Sequence, residues 1–270
     1  MRCTEEIMET KQRKPVVLIT VYRRYGELRL TLEQLNKFAS EFEQRPPVVV
    51  IWAAPVVGHL WHFQEMQKEG LIDHLLFRKQ LDDGDGVGST TYPESHNIRQ
   101  GLEFIKTTYG DDYYAIVQTA DVNIRPGVYA MMHYWLHEKN CKIFAYRWSN
   151  SCTLNAWHTN LFAVRLDDKK AWPPIATKND QDVLEHKWGK SIEENRISIV
   201  KWSNDENKFF KHGYPNVSND LELKHQLGEI GLGFYICGQH KYKLSRLLQK
   251  IINKLFGVFS FRKSRRNKNG

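Results

Sequence analysis

A strand-like run that ends in a carboxylate is the most informative chemical pattern of this sequence. Residues 114–117 are apolar, and the polar tip Thr119-Ala120-Asp121 follows after a single glutamine. In open α/β sheets, ligands bind in the crevice outside the carboxyl ends of the strands. A buried strand with this tip would therefore bring the carboxylate of Asp121 to a ligand site, provided that other polar groups meet it there.

A second polar strand end lies near the start of the chain. The apolar run at 15–22 continues into Thr20, Tyr22 and Arg23, and a helical pattern follows it. Hydroxyl and cationic groups in this position suit a nucleotide and its phosphates. No glycine-rich fingerprint accompanies them, which argues against a Walker loop or a dinucleotide-binding motif. An ordinary solvated strand end with two arginines is the alternative.

Two further groups could join the same site. Arg99 lies in a predicted helix whose polar start would favour an anion, and it could contact a diphosphate. A plain helix cap by Ser95 or Asn97 is the alternative for that segment. Asp180 and Asp182 begin another predicted helix, where they could act as a general base or a sugar contact, or simply cap the helix and complement its dipole.

These groups must be positioned by alternating strands and helices. Apolar strand-like runs are interrupted by segments with helical spacing of their apolar residues, and continuous β-branched runs of this kind predict an α/β fold with a mostly parallel sheet covered on both faces. The predicted strands are 15–22, 47–53, 72–77, 113–118, 142–147, 160–166 and 197–202. The predicted helices are 28–42, 59–70, 94–109, 127–139 and 180–190.

The positive charge of the chain is concentrated at its carboxyl end. The net charge of the 270 residues is +8, yet ten basic and no acidic residues lie from Lys241 onward. Removing those ten from 39 basic residues leaves 29 against 31 acidic ones, so the rest of the chain carries about −2. A nucleic-acid-binding protein usually shows basic residues across its folded face, so we expect no nucleic acid partner.

The carboxyl-terminal segment has the pattern of a basic amphipathic helix. Its apolar residues form a stripe at helical spacing, and basic residues flank the stripe: the apolar set is Leu244, Leu247, Leu248, Ile251, Ile252, Leu255 and Phe256. This combination is typical of a helix that lies on an anionic membrane surface. We expect residues 241–268 to make that contact; a helix docked on the protein's own core is the alternative.

Other segments indicate a protein of the cytoplasm. The polar amino-terminal segment 1–14 lacks the apolar core of a signal peptide, and the longest apolar run, 48–57, is about half the length that spans a bilayer. The four cysteines are scattered and include no C-x-x-C pair, as in reduced cytosolic proteins. We therefore expect a cytoplasmic protein that is peripheral at a membrane surface.

Taken in order, five segments resemble those of GT-A glycosyltransferases, the single-domain type that uses nucleotide sugars. They are the first strand end at 20–23 and residues 47–55, 95–105, 116–127 and 179–185. The resemblance covers roughly residues 15–205. It implies one GT-A-like domain at 15–235 with a Rossmann-like, mostly parallel sheet, preceded by segment 1–14 and followed by the tail at 236–270.

The resemblance also implies a donor site. In that family a D-x-D motif at the end of the central strand binds a divalent metal, which holds the donor diphosphate. Thr119-Ala120-Asp121 matches this motif with threonine in the first position, so Asp121 would contact the metal, Mn²⁺ or Mg²⁺, or the diphosphate. Thr20, Tyr22, Arg23, Arg99 and Thr119 would contact the donor.

Two later motifs complete the resemblance. Asp180 corresponds to the family's late acidic motif, whose aspartate is the base of inverting members, but the D-Q-D at 180–182 also resembles glycogenin-type retaining enzymes. The stereochemical course is therefore open, with Asp180 and Asp182 as the catalytic candidates. His212 corresponds to a late metal ligand of some members, or is an ordinary surface histidine.

These expectations combine into one function and two alternatives. We expect an enzyme that transfers a sugar from a nucleotide-sugar donor to a hydroxyl group of a glycan or of a lipid-linked acceptor. One alternative is a nucleotidyltransferase-like enzyme on a similar sheet. The other is a non-catalytic, membrane-associated protein that binds nucleotide sugars.

Overall fold

The structure, a computed structural model, describes residues 13–21, 25–53, 59–78, 91–147, 157–180, 182–201 and 210–212. The chain divides into two units, Met1–Asn216 and Val217–Gly270, and every described residue belongs to the first unit. Tyr22, Arg23 and the tail at 236–270 lie outside the described residues. Among the described helices, none is long and apolar enough to cross a bilayer.

A seven-stranded sheet forms the centre of the first unit. Its strands are β1 (Lys14–Val21), β2 (Val48–Ala53), β3 (His74–Arg78), β4 (Tyr113–Thr119), β6 (Ile143–Arg147), β7 (Trp157–Arg165) and β8 (Ile199–Lys201). They are arranged in the order β3-β2-β1-β4-β7-β6-β8. β7 runs antiparallel to β4 and β6, and the other four neighbouring pairs are parallel. A separate two-stranded sheet pairs β5 (Val122–Ile124) with β9 (Phe210–His212).

Helices cover both faces of the large sheet. They are α1 (Tyr25–Lys37), α2 (Leu60–Lys68), α3 (Thr91–Tyr109), α4 (Val128–His133), which continues as a π-helical turn at Tyr134–Glu138, and α5 (Leu184–Glu194). One apolar core contains side chains of α1, α2 and α4, and the other contains side chains of α3 and α5. Successive β1 residues alternate between the two cores, since Val17 and Ile19 belong to the first and Val16 and Leu18 to the second. The predicted mostly parallel sheet, covered on both faces, is confirmed.

Three helices begin three or four residues away from the sequence-based expectation. α1 begins at Tyr25 rather than at residue 28. α3 begins at Thr91 rather than at residue 94. Pro93 is tolerated in this first turn, because the N–H that a proline lacks would have no intrahelical acceptor there. α5 begins at Leu184, after the extended residue Val183. Asp180 and Asp182 therefore precede the helix, and the expectation that they begin it is wrong.

Gly101 lets α3 lie close against the sheet. A Cβ atom at this position would stand 2.5 Å from both δ-carbons of Leu18 and 3.0 Å from Cδ1 of Ile51. Leu18 and Ile51 are fully buried in β1 and β2, so neither side chain has space into which it can withdraw. The glycine therefore sets the distance between α3 and the two strands.

We predict that Gly101→Ala lowers the free energy of unfolding. Overpacking of a core costs about 1–3 kcal/mol, and the better helix propensity of alanine returns only about 1 kcal/mol. Urea unfolding should thus show a net loss of up to about 2 kcal/mol. Gln100→Ala, at the exposed neighbouring position of the same helix, is the matched control and should be neutral or slightly stabilising. Equal stability of the Gly101→Ala variant and the wild type would contradict the close approach.

Candidate active site

Three of the predicted site residues meet where β1 and β4 end. Thr20 of β1 is paired with Thr119 of β4, and the backbone N–H of Ala120 donates to the carbonyl oxygen of Thr20 at 3.1 Å. Asp121 follows in the turn between β4 and β5. The structure thus brings Thr20, Thr119 and Asp121 to the carboxyl ends of two neighbouring parallel strands.

Helix α1 fixes the turn that carries Asp121. The buried hydroxyl of Thr31 donates to the carbonyl oxygen of Ala120 at 2.6 Å. One turn later, the side chain of Gln34 accepts a hydrogen bond from the N–H of Ile124 at 2.8 Å and donates to its carbonyl oxygen at 3.0 Å. Both sides of the turn are therefore tied to one rigid helix, which limits the directions in which the carboxylate of Asp121 can point.

Thr119 has a direct contact with the acidic residue of the motif. Its hydroxyl donates to Oδ1 of Asp121 at 2.7 Å. A threonine at the first position of the motif therefore orients the single carboxylate instead of supplying a second one.

The backbone of His212 also lies beside this turn. β9 pairs antiparallel with β5, and His212 stands opposite Val122, the residue after Asp121. The chain thus returns to the motif at the position that the sequence suggested for a late metal ligand. The side chain of His212 is outside the described part of the structure.

The donor atoms present fit a divalent ion that is bound through one carboxylate. Within the described residues, no group of three or more His, Cys, Asp or Glu side chains could hold a metal. Mg²⁺-type ions are commonly held by one or two carboxylates together with substrate phosphates and water. Asp121 can supply the protein carboxylate among such metal ligands.

A second group of polar side chains lies at the same edge of the sheet. Thr159 stands in β7 two residues before Leu161, the partner of Gln118 near the end of β4. α3 and α5 lead into the parallel strands β4 and β8, so both helices begin at this edge. From α3, Oε1 of Glu94 lies 2.6 Å from the Thr159 hydroxyl oxygen; from α5, Oε1 of Glu185 lies 3.1 Å from it.

Two carboxyl groups share one hydroxyl in this arrangement. The Thr159 hydroxyl has one hydrogen, which it donates to one of the two carboxyl oxygens or shares between them. Burial raises the pKa of Glu94 to about 7, and the nearby charge of Glu185 adds to the rise, while the hydrogen bond from Thr159 opposes it. Glu94 is therefore a proton acceptor matched to neutral pH.

Sequence reasoning missed this cluster. The sequence placed Glu94 at the expected start of a helix and Glu185 at the end of the segment 179–185, and it suggested no contact between them. The three residues are distant in sequence, and nothing in their local spacing shows that they converge on one hydroxyl.

Asp180 and Asp182 form ion pairs with lysines. Asp180 accepts hydrogen bonds from the N–H of Thr177 at 2.6 Å and from Lys187, and the Lys187 contact holds its pKa below the usual range. Asp182 accepts from Lys190 at 2.8 Å, which lowers its pKa likewise. Carboxylates stabilised in the charged form are weaker proton acceptors than Glu94.

The loop that carries Asp180 is nevertheless attached to α3. The N–H of Ala176 donates to the buried hydroxyl oxygen of Ser95 at 3.0 Å. Ser95 in turn donates to the carbonyl oxygen of Tyr92 in the first turn of the helix. These bonds hold the loop at the amino terminus of α3, beside Glu94.

Arg99 lies near the middle of α3. It is eight residues into α3, about 12 Å from the start of the helix at 1.5 Å per residue. Its guanidinium carbon stands 5.1 Å from the ring centroid of Trp172, and burial lowers its pKa. The described contacts of Arg99 are therefore those of a cation packed on an indole ring.

Arg78 is a cation that the sequence reasoning did not select. It is the last residue of β3 and lies at the carboxyl edge of the sheet. Burial lowers its pKa, and its electrostatic neighbours are Tyr92 and His96 from the start of α3. Within the described residues it forms no ion pair. The signal in the sequence was an arginine directly after a strand-like run.

A search of solved structures matches this chain to proteins that include a mannosyltransferase, a synthase and TarS. The mannosyltransferase PcManGT from Pyrobaculum calidifontis, in complex with GDP-Man and Mn²⁺, is 14% identical over 72% of this chain and 56% of its own, with a TM-score of 0.46. 4-Diphosphocytidyl-2C-methyl-D-erythritol synthase is 11% identical over 79% and 100%, with a TM-score of 0.48. S. aureus TarS 1–349 in complex with UDP-GlcNAc is 11% identical over 89% and 66%, with a TM-score of 0.42.

This chain spans just over half the length of the mannosyltransferase. No family model matches the sequence, and no curated protein matches it either. The chain itself has an α/β fold in which the antiparallel strand β7 interrupts a mostly parallel sheet.

We predict that Glu94→Gln changes how stability depends on pH. Because the pKa of Glu94 is about 4.5 in the unfolded chain and about 7 in the fold, the folded wild type binds more protons than the unfolded chain between these values. The wild type should lose stability as pH rises through this window. At pH 8 the variant should gain about 1–3 kcal/mol over the wild type, but little at pH 4.

Urea unfolding at the two pH values measures this difference. Glu103→Gln is the matched control, since Glu103 lies on the same helix but pairs with Lys169 at the surface. Identical pH dependence of the Glu94→Gln variant and the wild type would show that the carboxyl group of Glu94 is not perturbed by its surroundings.

Proposed function

We propose that this protein transfers a sugar from a nucleotide-sugar donor to a hydroxyl group of a glycan or lipid-linked acceptor. One observation carries the proposal: Thr20, Thr119 and Asp121 meet at the carboxyl ends of β1 and β4 in a GT-A-like sheet. Ligands of open α/β sheets bind at this edge. The polar groups that such a donor needs are therefore concentrated where the fold can present them.

Asp121 would stand beside the donor diphosphate. Departure of a nucleoside diphosphate builds negative charge on its oxygens, and a divalent ion supplies the positive charge that stabilises it. Asp121, oriented by Thr119, would hold that ion, with His212 as a further candidate ligand from the neighbouring strand. Thr20, Tyr22 and Arg23 would contact the nucleotide from the end of β1.

Arg78 and Arg99 have different roles in this proposal. Arg78 lies at the end of β3 and has no ion-pair partner among the described residues. Its guanidinium group would therefore suit an anionic donor. Arg99 was expected to contact the diphosphate. Because its guanidinium group packs on Trp172, we assign it the role of supporting α3 instead.

The acidic residues around α5 would serve the acceptor. In the transfer step, the acceptor oxygen forms a bond to the anomeric carbon while the bond from that carbon to the diphosphate breaks, and the hydroxyl proton passes to a base. Glu94 is proposed for this proton because its pKa is close to neutral. Asp180 and Asp182, charged and held by lysines, suit hydrogen bonds from sugar hydroxyls.

We predict that Asp121→Ala reduces nucleotide release from the preferred nucleotide sugar about 100-fold or more, since the leaving diphosphate loses its stabilisation. A panel of nucleotide sugars with Mn²⁺ identifies the donor. Asp111→Ala is the control, because Asp111 lies in the turn before β4, at the opposite edge of the sheet.

In the same assay, Glu94→Gln should lower kcat, whereas Asp180→Asn should mainly raise KM.

Different results of this assay would lead to different assignments. Undiminished turnover by Asp121→Ala would remove Asp121 from the site. Loss of kcat in Asp180→Asn but not in Glu94→Gln would assign the base to Asp180. Pyrophosphate release from a nucleoside triphosphate would identify a nucleotidyltransferase-like enzyme, and donor binding without release would identify a non-catalytic binding protein.

We also propose that residues 241–268 hold the protein at an anionic membrane surface. The support is the sequence pattern of an apolar helical stripe with ten basic residues. Deleting residues 241–270 should abolish co-sedimentation with vesicles that contain phosphatidylserine, because each basic residue near such a surface contributes about 1 kcal/mol. The full chain should also lose this binding at high salt. Unchanged co-sedimentation of the truncated protein would contradict the proposal.

A further inference from the structure

A cavity of about 380 Å³ lies at the opposite edge of the sheet from Asp121. It is bounded by the first residues of β1 and β4, by the segment that leads into β2, and by the end of α4. β4 spans seven residues, or about 20 Å at roughly 3.3 Å per residue. The cavity is therefore separated from the candidate active site by the full length of the central strand.

Two stacked histidines line this cavity. His133 ends α4 and His137 lies in the π-helical turn; their ring centroids are 4.7 Å apart and their planes differ by 10°. The backbone N–H of Arg13 donates to Nδ1 of His137 at 3.0 Å. Because an amide N–H can only donate, this Nδ1 has no proton, and the neutral ring carries its hydrogen on Nε2. His137 is thereby prepared to donate a hydrogen bond rather than to bind a metal through Nε2.

A different contact favours the same tautomer of His133, with its hydrogen on Nε2. Its Nδ1 lies 2.8 Å from the hydroxyl oxygen of Tyr114. Burial raises the pKa of Tyr114, so the hydroxyl keeps its proton and can donate it to Nδ1. Burial and the neighbouring His137 lower the pKa of His133, which favours the neutral ring with its hydrogen on Nε2. Within the described residues, neither Nε2 atom is buried or has a protein partner.

The cationic side chains of the cavity add further donors. Arg13 and Arg45 are paired with Asp167 at 3.2 Å and Asp73 at 2.9 Å, and Nε of Arg13 remains a buried donor without an acceptor. Lys14 has no ion-pair partner within the described residues. Lys14 can therefore donate a charge-assisted hydrogen bond to an anionic ligand in the cavity.

The rest of the lining is mostly apolar. Pro15, Phe42 and Pro47 contribute hydrophobic surface. Glu43 is the carboxylate among the lining residues, and it is exposed at the rim. A volume of about 380 Å³ lies within the range of roughly 300–1,000 Å³ that is typical of small-molecule sites. The lining thus combines an apolar surface with convergent hydrogen-bond donors.

We propose that this cavity binds a small phosphomonoester with an apolar or ring-shaped body. The phosphate oxygens accept hydrogen bonds from Nε2 of His133 and His137 and from Lys14, and the body packs on Phe42 and the prolines. Glu43 opposes the ligand electrostatically and limits its affinity. The site is independent of the proposed sugar transfer, because no residue of the Asp121 turn contributes to it.

Phenyl phosphate is the probe for the full-length protein. Titration followed by long-range ¹H–¹⁵N NMR of the imidazole rings should shift the signals of His133 and His137 in a saturable way. Calorimetry should show that Lys14→Gln weakens binding about tenfold, as expected for one charge-assisted hydrogen bond. Glu43→Gln should strengthen binding several-fold. Phenol should not bind, and inorganic phosphate should bind more weakly than phenyl phosphate.

Two control variants distinguish binding in this cavity from a general attraction of anions and from binding at the Asp121 turn. Lys139→Gln, just after the π-helical turn but outside the cavity lining, should bind phenyl phosphate like the wild type. Asp121→Ala should bind it unchanged, whether or not the protein is a glycosyltransferase. The proposal is overturned if neither histidine signal shifts, if Lys14→Gln and Lys139→Gln weaken binding equally, or if Asp121→Ala abolishes it.

Discussion

The parallel pairing of β1 with β4 is the interaction on which the other features depend. It aligns Thr20 with Thr119, so both strands end at the same level. Two parallel strands at the centre of a sheet have to be covered on both faces, which places α1 on one side and α3 on the other. Each of these helices then begins at the carboxyl edge, and its first turns add polar groups to that edge.

The two polar clusters at that edge are organised by different physical means. The Asp121 turn is held by neutral hydrogen bonds from the side chains of α1, which fix its position without adding charge. The Glu94–Thr159–Glu185 cluster instead brings two carboxyl groups to one hydroxyl, and burial together with the charge of Glu185 raises the pKa of Glu94. The first arrangement suits a group that must stay charged, and the second suits a group that must exchange a proton near neutral pH.

The sequence was sufficient to predict the seven strands of the large sheet, their mostly parallel pairing and the convergence of Thr20, Thr119 and Asp121, but not the short strands β5 and β9. These follow from local periodicity and from the rule that the carboxyl ends of parallel strands share one edge. The start of α5 was predicted wrongly, since the residue before the helix is Val183 and not an aspartate. Asp180 and Asp182 are held instead by Lys187 and Lys190, which lie within the helix.

Glu94 and Arg78 could not be selected from the sequence, since their properties come from burial and from neighbours on distant segments. Glu94 acquires its pKa from surroundings that include Glu185, ninety-one residues later. Arg78 becomes relevant only when α3 brings Tyr92 and His96 beside the end of β3. A single sequence records neither of these distances.

The hydrogen bond from Thr119 to Asp121 has a consequence for the order of events. Two adjacent carboxylates repel each other and attract a divalent ion before any substrate arrives, whereas a single carboxylate does neither strongly. In the proposed reaction, the ion would therefore enter already bound to the diphosphate, and the protein would recognise that complex as one ligand. The threonine would thus couple metal capture to donor arrival.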